Sequence, residues 1–292
     1  MHYQKPQSTL GLAISANTRA TKADTDQGQR GQHNSAISLV CLQPNLAGLR
    51  QWALRQGHIL DHDDDLGYAL KQASQQVFGH LTFKPFTLRD RHGQVELLGY
   101  VPAADALVEH IMHQACQSRT VQELAQLLRF KRAQIHPMPA NWQQGQRLAF
   151  VVRVRPVARG RLGRFGGVRE MDIAALAARR GQRHFSRNGA AHTPARDNDR
   201  IYLDWVGERL TRRGALLRSA RIIVYQQTAV LHRRFSYGRS YMSARSGPDL
   251  VVRGVLQVRN SEEFSRGLLH GIGRHTNVGF GCLLLSPADR PV

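Results

Sequence analysis

The fold of this chain turns on its last long loop, Gly271-Ile-Gly-Arg-His-Thr-Asn-Val-Gly-Phe-Gly281. Before it, Asn260-Ser-Glu-Glu263 predicts a capped helix; after it, the apolar run Cys282–Ser286 predicts a closing strand. A dinucleotide-binding loop follows a strand and opens a helix, so a helix–loop–strand order excludes a Rossmann reading. Four glycines still let backbone N–H groups come close to phosphate, and Arg274 adds charge. A plain glycine-rich helix-to-strand turn is the other reading of the glycines alone.

Working upstream, Arg221–His232 and Leu250–Val258 predict two long strands flanking an arginine-rich hairpin tip, His232–Gly247. Asp199–Arg213 has near-helical spacing through Ile201, Trp205 and Leu210. A Gly/Arg-rich loop over Ala158–Gly167 and a short helix near 171–180 precede it. Arg147–Val154 alternates cleanly, with Leu148, Phe150, Val152 and Val154 on one face and Arg153 and Arg155 on the other. That pattern predicts a half-buried strand with an open basic face. In the first half, Ile37–Leu42 predicts a strand, Leu46–Ala53 and Leu66–Phe78 helices, and 81–88 and 95–101 strands. Two further helices are expected near 103–116 and 121–130, the second from a Thr120-x-x-Glu123 capping box.

The order strand, helix, strands, helix, strand thus occurs twice. This predicts an α+β chain with domains over 37–158 and 159–292, behind a flexible polar extension over 1–36.

The chain has 292 residues and a formal charge of +20, carried by 36 Arg against 5 Lys. Between Arg147 and Arg259 lie 24 Arg, no Lys and 7 acids. Arginine offers a planar fork of donors suited to phosphate and to stacking on bases, so this excess predicts a nucleic-acid partner. No apolar run approaches the ~20 residues of a membrane span, and Met1–Leu10 has no apolar stretch of signal-peptide length. A soluble cytoplasmic protein is expected. Three scattered cysteines, Cys41, Cys116 and Cys282, exclude a disulfide framework or a zinc ribbon. The acidic run at 61–65 reads as a solvated loop, and His110 and His113 lack a second ligand pair. No nucleophile-elbow pattern supports a serine hydrolase.

With these residues in view, the sequence resembles the RAMP superfamily of CRISPR proteins, and most closely its CasE-type repeat endoribonucleases of type I-E systems. The resemblance rests on the 271–281 loop with the following Leu-Leu-Leu-Ser-Pro, and on Val252-Arg-Gly-Val-Leu-Gln-Val258. It extends to Tyr202–Leu210, to Gly145–Val157 as the strand closing the first domain, and to Gly67-Tyr-Ala-Leu-Lys71. It spans residues 37 to 288.

The resemblance implies two tandem ferredoxin-like (RRM-like, βαββαβ) domains that bind the stem-loop of a CRISPR repeat transcript. It also implies metal-independent cleavage without a cofactor, in which a ribose 2′-hydroxyl attacks the adjacent phosphate and leaves a 2′,3′-cyclic end. The product hairpin would stay bound, alongside other subunits of a CRISPR effector complex. Members of this type place a Tyr and, three residues later, a His on the first helix. Tyr68 matches the Tyr, but Lys71 occupies the His position. A Lys can stabilise an anionic phosphorane or donate a proton, but it is a poor base near neutrality. His58 and His62 are alternative bases, read here as solvated. The departure also fits the divergent relatives of type IV systems, or a non-catalytic RNA-binding subunit.

For RNA grip the sequence nominates Arg153, Arg155, Arg159, Arg161 and Arg164 on the strand exit and its loop. A second group is Arg233, Arg234, Arg239 and Arg245 around the hairpin tip. From the last loop come Gly271, Gly273, Arg274, His275, Gly279 and Gly281. The three tryptophans, Trp52, Trp142 and Trp205, read as core or core-edge residues.

Overall fold

The computed structural model describes residues 37–59, 65–102, 107–110, 113, 118–161, 168–185, 195–236 and 239–288. The expected extension over 1–36 lies outside them. Chain order begins with β1 (Ser38–Leu42), α1 (Leu46–Arg55), α2 (Gly67–Phe78), β2 (Phe86–Arg91), β3 (Gln94–Val101), α3 (Arg119–Leu127) and β4 (Gln134–Pro137). It continues with β5 (Arg147–Val154), β6 (Val157–Arg161), β7 (Val168–Asp172), α4 (Ile173–Phe185) and α5 (Ala195–Thr211). The chain closes with β8 (Ala215–Ser236), β9 (Arg239–Val258), α6 (Ser261–His270) and β10 (Leu284–Pro287).

Two four-stranded antiparallel sheets result, in the orders β2-β3-β1-β4 and β10-β5-β9-β8. In each, the first strand of the unit sits between its third and fourth, which is the ferredoxin-like arrangement expected. The C-terminal unit carries an insertion between its first strand and first helix, the two-stranded ribbon β6–β7 followed by α4. The Gly/Arg-rich segment expected as loop thus forms, in part, a ribbon that pairs Val157 with Asp172 and Arg161 with Val168.

One boundary differs. The strand expected to close the first domain, β5, pairs with β9 and β10 of the second sheet. The first sheet is closed instead by the short β4, which pairs with β1. Alternation shows that β5 has one buried face but carries no information about its hydrogen-bonding neighbours, which lie about a hundred residues away.

Every residue of β1 is buried, because the first sheet is covered on both faces. Val40 and Leu42 face a core with α1, α2 and α3, through Leu49, Leu70, Val77 and Leu124. Leu39 and Cys41 join Leu98, Tyr100 and the C-terminal Cys282–Leu285 in a second core that also contains Phe150, Val252, Trp205 and Phe264. The Tyr100 hydroxyl donates to the Leu283 carbonyl at 2.7 Å inside that layer. The two units therefore share a core, and Trp52, Trp142 and Trp205 are all buried.

Local signals account for the helix ends. Asn45 accepts from the Gly48 N–H, and Asn260 from the Glu263 N–H. The cap of α3 is Ser118, which accepts from Val121, not the expected Thr120. α2 ends at Gly79, in the left-handed region at φ 57°.

The hairpin β8–β9 outruns its sheet. β5 covers β9 only from Leu250 to Gln257, whereas β8 and β9 pair out to Ser236 and Arg239. Two register shifts, at Leu217/Ser219 and Ile222/Val224, mark bulges, the usual device for bending a strand. The outer half packs back on the first unit: Val230 and Leu231 are buried against Tyr68, Val278 and Phe280. Among the described residues, no helix is long and apolar enough to cross a membrane.

Candidate functional site

The site forms where α2, the glycine-rich loop and the outer hairpin meet. Gly67 opens α2 because a Cβ there would lie 2.3 Å from the Val278 carbonyl oxygen, so the helix start is pressed against the loop. The Asp65 carboxylate accepts from the Gly67 N–H at 2.8 Å. One residue on, Tyr68 is 6% exposed and packs among Val230, Leu231, Val278 and Phe280. Lys71 lies one turn further on the same helix face, its Nζ 5.5 Å from the centre of the Tyr68 ring. Burial, then repulsion from Lys84, lowers the Lys71 pKa from its usual 10.5.

The structure thus brings Tyr68 and Lys71 together and adds His58, expected as a solvated residue. His58 is buried between Trp52 and Tyr68, with ring centres 5.2 and 5.9 Å away. Its Nδ1 has no partner among the described residues. Burial lowers its pKa, and the Arg233 charge lowers it further, which favours the neutral ring. Only the tertiary fold buries His58, since the residues that cover it come from two helices. His62 lies outside the described residues.

The arginines nominated from sequence divide sharply. Arg155 is 1% exposed and its guanidinium donates to main-chain oxygens of the hairpin: Arg245 at 2.7 Å, Thr228 at 3.0 Å and Gly247 at 3.3 Å. Arg153 forks onto Asp249 at 2.7 and 2.9 Å, approaches Asp65 at 3.5 Å and stacks 4.4 Å above Phe280. The expected open basic face of β5 is therefore covered, and these two arginines tie the hairpin, the loop and α2 together. Both terminal nitrogens of Arg155, and Nε and one terminal nitrogen of Arg153, are committed to internal acceptors, so the two arginines serve as structural ties where phosphate contacts were expected.

Arg159 and Arg233, by contrast, are exposed, and Arg245 is half-buried on the hairpin. Arg164 lies outside the described residues, as do the side chains of Arg161, Arg234 and Arg239. The backbone pairs Arg161 with Val168, Arg234 with Tyr241 and Arg239 with Ser236.

The loop itself is pinned at both ends. Ile272 N–H donates to the Gly281 carbonyl at 3.0 Å, and Gly281 N–H to the Arg153 carbonyl at 2.7 Å. Gly281 has φ 76°, and a Cβ would meet the Ile272 oxygen at 2.3 Å, so glycine is required there. Gly271 and Gly273 line the loop's entry, the latter against Trp205, and Gly279 stands beside Arg153 and Phe86.

Sequence reasoning missed Glu170. From β7 it accepts from Arg274 Nε and His275 Nε2, both at 2.8 Å, while His275 sits in the left-handed region at φ 61°. Bonding to His275 and Arg274 outweighs desolvation and holds the Glu170 carboxyl down at about 2. The His232 ring lies 5.3 Å from that of His275. Glu170, His232 and His275 offer ligand atoms within 4.8 Å of one another, a set of the type that holds divalent transition metals. Here, however, both carboxylate oxygens are already occupied by Arg274 and His275.

Two ferredoxin-like units, with a glycine-rich loop between the last helix and last strand, form the architecture that the sequence resemblance implies. The family model for "CRISPR associated protein" matches residues 88–287. The chain belongs to that family. Among solved structures, it is similar to a CRISPR endoribonuclease Cse3 bound to 19-nt RNA, at 18% identity and TM-score 0.52 over 86% of this chain and 100% of the other. A second structure of Cse3 bound to 19-nt RNA shows 18% identity and TM-score 0.50 over 87% and 99%. A pre-cleavage RNA complex of the Thermus thermophilus Cse3 matches at 17% identity and TM-score 0.49, over 86% and 100%. No curated protein matches the sequence.

Proposed function

We propose that the protein matures CRISPR RNA by cutting the repeat stem-loop without metal, and that it keeps the product hairpin bound within an effector complex. The observation that carries this reading is the convergence on Tyr68. A helix, a glycine-rich loop and a basic hairpin meet around one phenol, with the Lys71 ammonium beside it.

The chemistry follows from those groups. Attack of a 2′-oxygen on the adjacent phosphorus creates a phosphorane dianion and an alkoxide leaving group. Fixed cations and a proton donor at that point lower the barrier. Lys71, with its proton affinity reduced by burial, suits the role of donor to the 5′-oxygen or of charge partner to the phosphorane. Tyr68 orients the 2′-hydroxyl, whose proton passes to solvent water as the oxygen attacks, and His58 packs behind the phenol. The exposed Arg233 faces the stem, where A-form RNA offers phosphates and 2′-hydroxyls. Arg234, Arg239 and Arg245 belong to the same hairpin. The working place of such a protein is the cytoplasm.

A specific feature favours a second reading, a non-catalytic RNA-binding subunit: Lys71 stands where this type of nuclease carries a His. One assay separates the two. Purified protein is incubated with its own repeat RNA in EDTA. A single cut with a 2′,3′-cyclic phosphate end supports the nuclease; tight binding of intact RNA supports the subunit.

A further inference from the structure

At the entry of the glycine loop lies a cleft of about 440 Å³, between β6, the end of α5 and residues 272–274. Arg159, Arg209, Arg212, Arg213 and Arg274 line it around Trp205, and none of the described residues lining it is acidic. A helix C-terminus attracts cations, which accounts for some of these arginines but not for Arg159 or Arg274, contributed by other elements. Three of the five are engaged: Arg212 with Glu208, Arg274 with Glu170, and Arg213 with the Gly271 carbonyl at 3.2 Å. Among the described residues, Arg209 is paired with no carboxylate. Its guanidinium lies 5.2 Å from the Trp205 ring centre, and its buried Nε has no acceptor among the described residues. Arg159 is exposed.

We propose that this cleft is a subsite for unpaired RNA, in which Arg209 and Arg159 take the phosphate of a nucleotide leaving the base of the stem. The chemistry is that of a guanidinium fork meeting a phosphate in a partly desolvated cleft. Its size suits a small ligand or a short strand and is too small for a duplex. Continuity gives the path: the loop whose Val278 and Phe280 pack on Tyr68 also supplies Gly273 and Arg274 to the cleft. A strand that follows the loop away from the reaction point arrives at Arg209. The proposal rests on the RNA-binding reading above.

The test compares the bare repeat stem-loop with the same stem-loop extended at its base by unpaired nucleotides, by fluorescence anisotropy at several salt concentrations. The extension should tighten binding about tenfold or more, and steepen the salt dependence by about 0.7 per phosphate held. Arg209→Gln and, separately, Arg159→Gln should remove most of that gain, while Arg209→Lys keeps part of it; melting curves check that each variant is folded. The proposal is overturned if the extension adds nothing, or if both glutamine variants retain the full gain. A free nucleotide is the other source of the same chemistry. Binding of 5′-AMP that Arg209→Gln abolishes, with no gain from the extension, overturns the RNA assignment in its favour. Failure of the bare stem-loop to bind at all would instead count against the proposed function.

Discussion

Glu170 and His275 stand 105 residues apart in sequence and 2.8 Å apart in space, joining the inserted ribbon to the glycine-rich loop. The bond matters because Glu170 is set on an element that the ferredoxin-like plan does not need. The insertion therefore acts as a brace on the loop that flanks Tyr68.

The brace carries a pH signature. The Glu170 carboxyl is held at about 2, against 4.5 for an ordinary glutamate, so its stabilisation is fully present above pH 4.5 and is lost as pH falls toward 2. Glu170→Gln should cost about 1–2 kcal/mol near neutrality. The difference from the unsubstituted protein should shrink through that acid window in chemical-denaturation curves. A constant difference from pH 6 to pH 2 would show that the charge is not what holds the loop.

Lys71 acts in its protonated form if it donates a proton or balances the phosphorane. Its pKa is lowered from 10.5, so single-turnover cleavage should fall as pH rises through that lowered value, earlier than for an ordinary lysine. Lys71→Ala should slow cleavage about a hundredfold or more and leave RNA affinity less affected. An unchanged cleavage rate in Lys71→Ala would remove it from the site.

Arg155 and Arg233 should separate stability from binding. Arg155→Ala leaves three hairpin carbonyl oxygens without their buried donor, and should destabilise the fold by about 2–4 kcal/mol in denaturant titrations. Arg233→Glu sits on an exposed strand position. It should leave the melting temperature near that of the unsubstituted protein while weakening stem-loop binding about tenfold and flattening its salt slope by about 1. The reverse pattern would exchange the roles assigned to the two arginines.

Gly67→Ala probes the joint between α2 and the loop. The added methyl would meet the Val278 oxygen at 2.3 Å, so either the helix start or the loop must move. A loss of about 1–3 kcal/mol is expected, together with slower cleavage, because Tyr68 moves with the helix start. Wild-type stability and rate in this variant would show that the joint is loose.

Much of this arrangement is written locally. The caps at Asn45 and Asn260, the alternation of β5, the helix pair Tyr68–Lys71 and the glycine pattern before β10 each act within one element or turn. Their periods and residue types therefore specify the elements, the twice-used order and the excess of positive charge in the second half. What lies beyond one element's length needed the folded chain: the sheet that β5 joins, the burial of Arg155 and the pairing of Arg153 with Asp249, His58 behind Tyr68, and Glu170 under the loop. A periodic pattern says that a face is covered, but the covering group comes from elsewhere in the chain. That is why +20 of charge announced a polyanion from composition alone, whereas only packing decided which arginines remain to meet it.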